Sequence, residues 1–90
     1  MTRTKWPPWW GWELELSPHL LKRMVDRRFT EVDLRRMLEH AAGYHRDIEE
    51  GRWVVTVRRR RCAWEVIVEP DETRQLLVVV TAYPIEEQKS

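Results

Sequence analysis

One apolar run near the C-terminus constrains the fold of this 90-residue chain more than any other feature. It extends from Leu76 through Tyr83 as Leu-Leu-Val-Val-Val-Thr-Ala-Tyr, and Pro84 follows, which cannot extend a strand ladder. The run contains three consecutive β-branched residues and places apolar side chains on both faces, so it predicts a strand buried on both sides over most of its length. Such a strand belongs inside a sheet that has helices on at least one face. The run therefore predicts an α+β domain.

The length and the cysteine content limit the remaining possibilities. Ninety residues make one domain with a small core, to which six Trp side chains contribute large apolar areas. Because Cys62 is the single cysteine, no intrachain disulfide can form, and a reducing compartment is the expected setting. The sequence shows neither a run of ~20 apolar residues nor the pattern of a signal peptide. We therefore expect a cytoplasmic protein with no membrane partner.

The charges divide the chain into a basic and an acidic part. Residues 1–61 carry 14 Lys and Arg against 9 Asp and Glu, a net charge of +5, and residues 62–90 carry 2 against 6, a net charge of −4. The basic part suits a phosphate-bearing partner, whereas the acidic part argues against indiscriminate binding of nucleic acid. The same division also occurs in proteins without a polyanionic partner.

The N-terminal segment is rich in Trp and Pro, and it reads Trp-Pro-Pro-Trp-Trp-Gly-Trp from Trp6 to Trp12. We predict a lid whose indoles fold back over the domain, with a homodimer contact or base stacking as alternatives. The expected organisation is a Trp/Pro-rich segment at 1–12, one α+β domain at 13–85 and a solvated tail at 86–90.

Two helices are predicted after a short edge strand at Glu13–Leu16. Ser17 and Pro18 form a typical helix start, and apolar residues at helical spacing continue this first helix to about Arg28. Thr30 caps a second helix, which the apolar pattern extends until Gly43 ends it.

Three strands with short connections follow the helices. A loop is predicted at Tyr44–Glu50, then a strand opened by Gly51, a second strand at Cys62–Glu69 and the apolar run as the third strand. The predicted fold is two helices packed on a mostly antiparallel four-stranded sheet, in the order strand, helix, helix, strand, strand, strand.

Several short motifs in these elements give the sequence a family resemblance. They are His19 with Arg23-Met24, Arg28-Phe29-Thr30-Glu31, Trp64-Glu65-Val66, Glu69-Pro70-Asp71 and Val80-Thr81-Ala82-Tyr83-Pro84. With these motifs, the chain resembles small bacterial domain-of-unknown-function proteins grouped with RelE/ParE-like toxins, within the barnase/EndoU/colicin/RelE-like nuclease superfamily. The resemblance covers about Leu14–Pro84. It implies a RelE/barnase-like fold.

The resemblance also implies a function, although a fold alone does not fix one. Active members of the superfamily are metal-independent ribonucleases, and ParE-type relatives instead poison gyrase. We therefore expect a toxin-like ribonuclease that cleaves RNA by general acid–base chemistry and has a cognate antitoxin protein. The alternative is a non-catalytic protein-interaction module that uses the Trp-rich segment and an open sheet face.

Candidate catalytic residues come from the first helix and the third strand. Metal-free RNA cleavage needs a base, an acid and a cation on the phosphate. His19 and Arg23 are four residues apart on one helical face, and Thr81 and Tyr83 share one side of the strand. We predict that all four lie across one cleft. The same residues also suit structural roles, His19 in the helix cap and Tyr83 at the edge of the core.

Two arginines are predicted to bind the substrate. Arg27 continues the face of His19 by one turn, and Arg58 begins a run of four arginines of which at most two face the cleft. Glu65 suits a general base, or else a cross-strand partner for Arg58. No metal or other cofactor is expected, because the spacing of His40, His45 and Cys62 matches no common zinc site.

Overall fold

In the computed structural model, residues 6–85 are described, and they form two α-helices and one five-stranded sheet. The elements in chain order are a 3₁₀ helix Pro8–Gly11, β1 Glu13–Leu16, α1 Pro18–Arg27, α2 Glu31–Glu39, β2 Gly43–Arg46, β3 Trp53–Arg59, β4 Cys62–Asp71 and β5 Leu76–Pro84. The general α+β class and the two helices agree with the prediction from sequence. The solvated tail predicted at 86–90 lies outside the described residues.

The prediction of a mostly antiparallel four-stranded sheet, and with it the RelE/barnase-like arrangement, is wrong. The sheet has five strands in the order β1-β5-β4-β3-β2, and it is mixed because β1 pairs with β5 in parallel. The additional strand is β2, and all of it except Gly43 lies in the segment predicted to be a loop. Its His45 and Arg46 are exposed, and only Tyr44 packs against the core, so its sequence lacks the apolar alternation that indicates a strand.

The apolar run forms an interior strand, as predicted, because β5 lies between β1 and β4. Only one of its faces is fully buried, through Leu77, Val79 and Ala82, and the alternate residues are half-buried. The register with β4 shifts between Ile67↔Thr81 and Val68↔Val79, which leaves Val80 as the extra residue of a bulge.

The helices and the 3₁₀ helix cover the face of the sheet that carries the core. Buried side chains of the 3₁₀ helix, of α1 and α2 and of Phe29 between α1 and α2 meet the inward-facing residues of β3, β4 and β5. This core consists of Trp9, Leu20, Phe29, Leu34, Met37, Leu38, Val55, Val57, Trp64, Val66, Val68, Leu77, Val79 and Ala82. The opposite face of the sheet, called the open face below, carries Thr56, Glu65 and Tyr83. No helix in the described range is long and apolar enough to cross a membrane.

Side-chain caps fix both helices at their N-termini, as the sequence predicts. The Ser17 hydroxyl accepts a hydrogen bond from the Leu20 N–H at 3.0 Å and donates one to the Val80 carbonyl at 2.7 Å. This side chain therefore joins the start of α1 to the bulge of β5. Thr30 and Asp33 form a capping box at the start of α2.

Helix α2 ends at Glu39, earlier than the Gly43 predicted from the sequence. The reason is visible in the main chain: the Ala42 N–H donates to the Thr56 carbonyl at 2.8 Å and so has already joined the sheet.

The Trp-rich segment packs onto the domain, as predicted. Trp9 is only 7% exposed and belongs to the core. Its ring centroid lies 5.8 Å from that of Trp53 and 5.9 Å from that of Tyr44. Trp6 stacks on Trp10 with centroids 4.2 Å apart. The segment therefore completes the core beside β2 and β3 instead of covering the open face.

Candidate nucleic-acid interface

The hairpin between β3 and β4 carries four consecutive arginines through its turn. Arg58 and Arg59 end β3, and Arg60 and Arg61 form the two-residue connection. Both connecting residues have positive φ, 51° and 68°. Such a turn favours Asn and Gly, since only they adopt a left-handed backbone at little cost. The sequence therefore places two cations where the backbone does not favour them.

A third arginine lies in the same backbone conformation at the end of α1. Arg28 is the C-terminal cap with a φ of 56°, a position that Gly most often occupies. In the described chain, the non-glycine residues with positive φ are Arg28, Arg60, Arg61 and Gln75, so three of the four are arginines. A left-handed conformation costs about 1 kcal/mol for a residue that carries a Cβ.

Arg59 joins the hairpin to the corner between the two helices. Its guanidinium lies 5.9 Å from the centre of the Phe29 ring and 5.8 Å from that of Trp64, and these two rings are themselves 5.4 Å apart. It also forms an ion pair with Asp33 at 3.7 Å. These contacts bring Arg27 and Arg28 to the same end of the molecule as the hairpin. We call the set Arg27, Arg28 and Arg58–Arg61 the arginine end.

The arginine end presents most of its positive charge to solvent. All its members are exposed except Arg59, whose guanidinium lies against both rings. The pKa of Asp33 is lowered, first by the hydrogen bond from the Thr30 N–H and also by the charges of Arg59 and Arg60. Asp33 is thus an ionised cap residue, and its ion pair is with the partly buried Arg59. The exposed guanidiniums of the arginine end form a cationic surface suited to phosphates.

A row of polar side chains crosses the open face next to this surface. The strand register places Thr56, Glu65 and Tyr83 side by side on β3, β4 and β5. The Tyr83 hydroxyl donates a hydrogen bond to Glu65 Oε1 at 2.9 Å. Arg58 lies two residues from Thr56 on the same face, and its guanidinium donates to the Arg61 carbonyl at 3.3 Å. In the described structure Glu65 is therefore hydrogen-bonded to Tyr83, whereas the sequence suggested a cross-strand pair with Arg58.

The predicted catalytic residues form two groups. His19 and Arg23, with Lys22 and Asp26, line a pocket of about 190 Å³ on α1, and the His19 side chain is exposed. Neither Thr81 nor Tyr83 lines this pocket.

Thr81 belongs to the sheet, where it pairs with Ile67 on the open face. Its hydroxyl is buried and has no hydrogen-bond partner among the residues that the structure describes. The structure thus brings His19 together with Arg23, and Thr81 together with Tyr83. Because α1 packs on the helix-bearing side and Thr81 and Tyr83 lie on the open face, the structure gives no support for a single cleft that contains both pairs, which stays a prediction.

The sequence predicted Arg27 and Arg58 as substrate-binding residues but not Arg28, Arg60 and Arg61. The run of four arginines was visible, yet at most two of its members were expected to face the cleft. The missing information was tertiary: the hairpin meets the helix corner through Arg59, Phe29 and Trp64. No local pattern indicates that contact.

Within residues 6–85 no group of three or more His, Cys, Asp and Glu side chains is arranged to hold a metal ion. Comparison with known proteins adds no further constraint: no protein-family model matches the chain, and neither curated proteins nor solved structures give a significant match. The resemblance to toxin-like nucleases stays a prediction from the sequence.

Proposed function

We propose that this protein binds RNA and that the arginine end is its contact with the phosphate backbone. The observation that carries this proposal is the left-handed backbone of Arg28, Arg60 and Arg61. Residues at strained positions persist where they serve a function, and here the shared property of the three is a cationic side chain. Their side chains converge on one end of the molecule from two separate parts of the sequence.

The exposed guanidiniums of the arginine end favour contact with the phosphate backbone of RNA over recognition of individual bases. Guanidiniums recognise phosphate oxygens through paired donors, and the arginine end has five that are exposed. If about four of them neutralise phosphates, the logarithm of the binding constant should fall with the logarithm of the salt concentration with a slope of about −3 for single strands.

The test is fluorescence anisotropy with a labelled single-stranded RNA of about 20 nucleotides, measured over a range of salt concentrations. The informative variant is Arg60→Asn with Arg61→Gly, which removes two cations and installs the residues that the turn prefers. We expect binding at low salt to weaken by at least about tenfold and the slope to decrease by about 1.4, as expected for two lost phosphate contacts.

A matched control removes the same charge elsewhere. Arg36→Gln with Arg46→Gln alters two exposed arginines outside the arginine end. If both double variants lose the same affinity, the binding reflects total charge and the proposed interface is wrong. If neither loses affinity, the RNA is held by another surface.

The hydrogen-bonded pair of Tyr83 and Glu65 favours RNA cleavage as a second candidate function. A carboxylate on the open face can accept the proton of a 2′-hydroxyl as its oxygen attacks the phosphorus. The bond from phosphorus to the 5′-oxygen then breaks, and that oxygen takes a proton from an acid, for which the Tyr83 hydroxyl beside Glu65 is the candidate. Arg58, on the same face as Glu65, can stabilise the charge on the phosphate. A neutralising antitoxin is the partner that such a ribonuclease would have.

Cleavage is tested with excess EDTA present, on single-stranded and structured RNA. Activity that survives EDTA and falls about 10²–10⁴-fold in Glu65→Gln, while RNA affinity is retained, supports acid–base catalysis on the open face. Tyr83→Phe tests whether Tyr83 contributes the acid, and His19→Ala tests whether α1 contributes to cleavage at all. If the wild-type protein binds RNA and leaves it intact, the protein is a binding domain and the catalytic proposal fails.

A further inference from the structure

Strand β1 forms an outer edge of the sheet, away from the residues of the proposed RNA contact. No strand within residues 6–85 lies on its other side. The Ser17 N–H donates to the Val79 carbonyl at 3.1 Å, which fixes the orientation of the preceding peptide groups. Because N–H and C=O groups alternate in direction along a strand, those of Leu14 and Leu16 point away from β5. An edge with such groups can pair with a strand of another molecule.

A pocket of about 210 Å³ adjoins this edge on the helix-bearing face. Its apolar lining consists of Trp10, Trp12, Leu14, Leu38 and Leu77. Leu14 is paired with Leu77 in the parallel register, so the pocket begins directly at the edge strand. A strand added next to β1 would project every second side chain over this same face. One large apolar side chain at such a position would enter the pocket.

The charges on the other face of β1 restrict what the added strand can be. Glu13 and Glu15 project there, and Glu15 is ion-paired with Arg74. Two copies of β1 paired with each other would place these acids side by side, and like charges opposite one another are destabilising. A strand with Lys or Arg at the corresponding positions would instead complement Glu13, which is exposed.

We propose that the β1 edge binds an extended segment of a partner protein in which basic residues alternate with apolar ones. The main chain of the segment pairs with Leu14 and Leu16, one apolar side chain fills the pocket beside Trp12, and the basic side chains face Glu13. The mode is strand addition, in which main-chain hydrogen bonds supply affinity and the alternate side chains supply specificity.

The probe is the synthetic peptide acetyl-Lys-Val-Arg-Leu-Lys-Val-Arg-amide, titrated into ¹⁵N-labelled full-length protein and followed by NMR. We expect the largest shifts at residues 12–16 and at Leu38 and Leu77. Two N-methylated versions of the peptide test whether its main chain pairs with β1. Each version carries methyl groups on one set of alternate amides, so in one version the methyl groups face β1 and in the other they face solvent. One version should lose affinity at least about tenfold and the other should retain it.

Two protein variants test the charge. Glu13→Lys should weaken binding by about fivefold, whereas Asp26→Lys, an equal change in charge at an exposed position on α1, should leave it unchanged. The proposal is overturned by a lack of binding up to about 1 mM peptide, by equal loss in both N-methylated peptides, or by shifts centred on another surface. Self-association of the protein without peptide, with shifts at residues 12–16, would also overturn it, because the occupant would then be a second copy.

Discussion

Replacement of Trp9 by Ala tests whether the Trp-rich segment is part of the core. The side chain is 7% exposed and contacts the rings of Trp10, Tyr44 and Trp53. A Trp side chain buries ~150–250 Å², which at ~25 cal/mol per Å² corresponds to about 4–6 kcal/mol. The unfolded chain already buries part of that area, so we expect a loss of about 3 kcal/mol in the free energy of unfolding.

Urea unfolding followed by far-UV circular dichroism measures this loss. For a domain of this size, about 3 kcal/mol corresponds to a decrease in Tm of about 12–24 °C. Ile48→Ala is the matched control, because Ile48 is fully exposed, and it should change stability by less than about 0.5 kcal/mol. A loss of less than about 1 kcal/mol in Trp9→Ala, with an unchanged denaturant slope, would refute the assignment of Trp9 to the core.

Three further predictions concern the fold. Val79→Asp should unfold the protein, because it buries an unpaired charge in the interior strand, whereas Val78→Asp on the half-buried face should still melt cooperatively. Ser17→Ala should cost about 2 kcal/mol in urea unfolding, since it removes both the helix cap and the hydrogen bond to β5. The Thr30 N–H donates a hydrogen bond to the Asp33 carboxylate and lowers the pKa of this group below its ordinary value of 3.8. The stability that the ionised carboxylate contributes is therefore present above pH 3.8 and is lost as the pH falls through the folded pKa. Between about pH 6 and about pH 3 the wild type should therefore lose more stability than Asp33→Asn does.

The features predicted correctly from the sequence are those that local chemistry determines. Ser17-Pro18 and Thr30 mark helix starts because the side chains of Ser and Thr satisfy free N–H groups within the next turn. Glu13–Leu16 alternates polar and apolar residues, and it forms a strand with those bounds. The apolar run could be assigned to an interior strand because three β-branched residues in succession suit few other environments.

The errors arose where main-chain pairing or tertiary contacts decide the structure and no local side-chain pattern indicates them. β2 is short, polar and at an edge, and its pairing with β3 is fixed by main-chain hydrogen bonds instead of an apolar pattern. β1 pairs with β5, about 60 residues further along the chain, and nothing local indicates a parallel orientation. The arginine end has the same origin, because Arg28 and the hairpin meet only through tertiary contacts.

The most direct test of the account measures stability and RNA affinity together in the Arg60→Asn, Arg61→Gly variant. We propose that these arginines retain unfavourable backbone positions because their charges contact phosphate. The variant should therefore be more stable than the wild type by about 1 kcal/mol and bind single-stranded RNA at least about tenfold more weakly at low salt. A variant that is more stable and binds RNA as tightly as the wild type would contradict it.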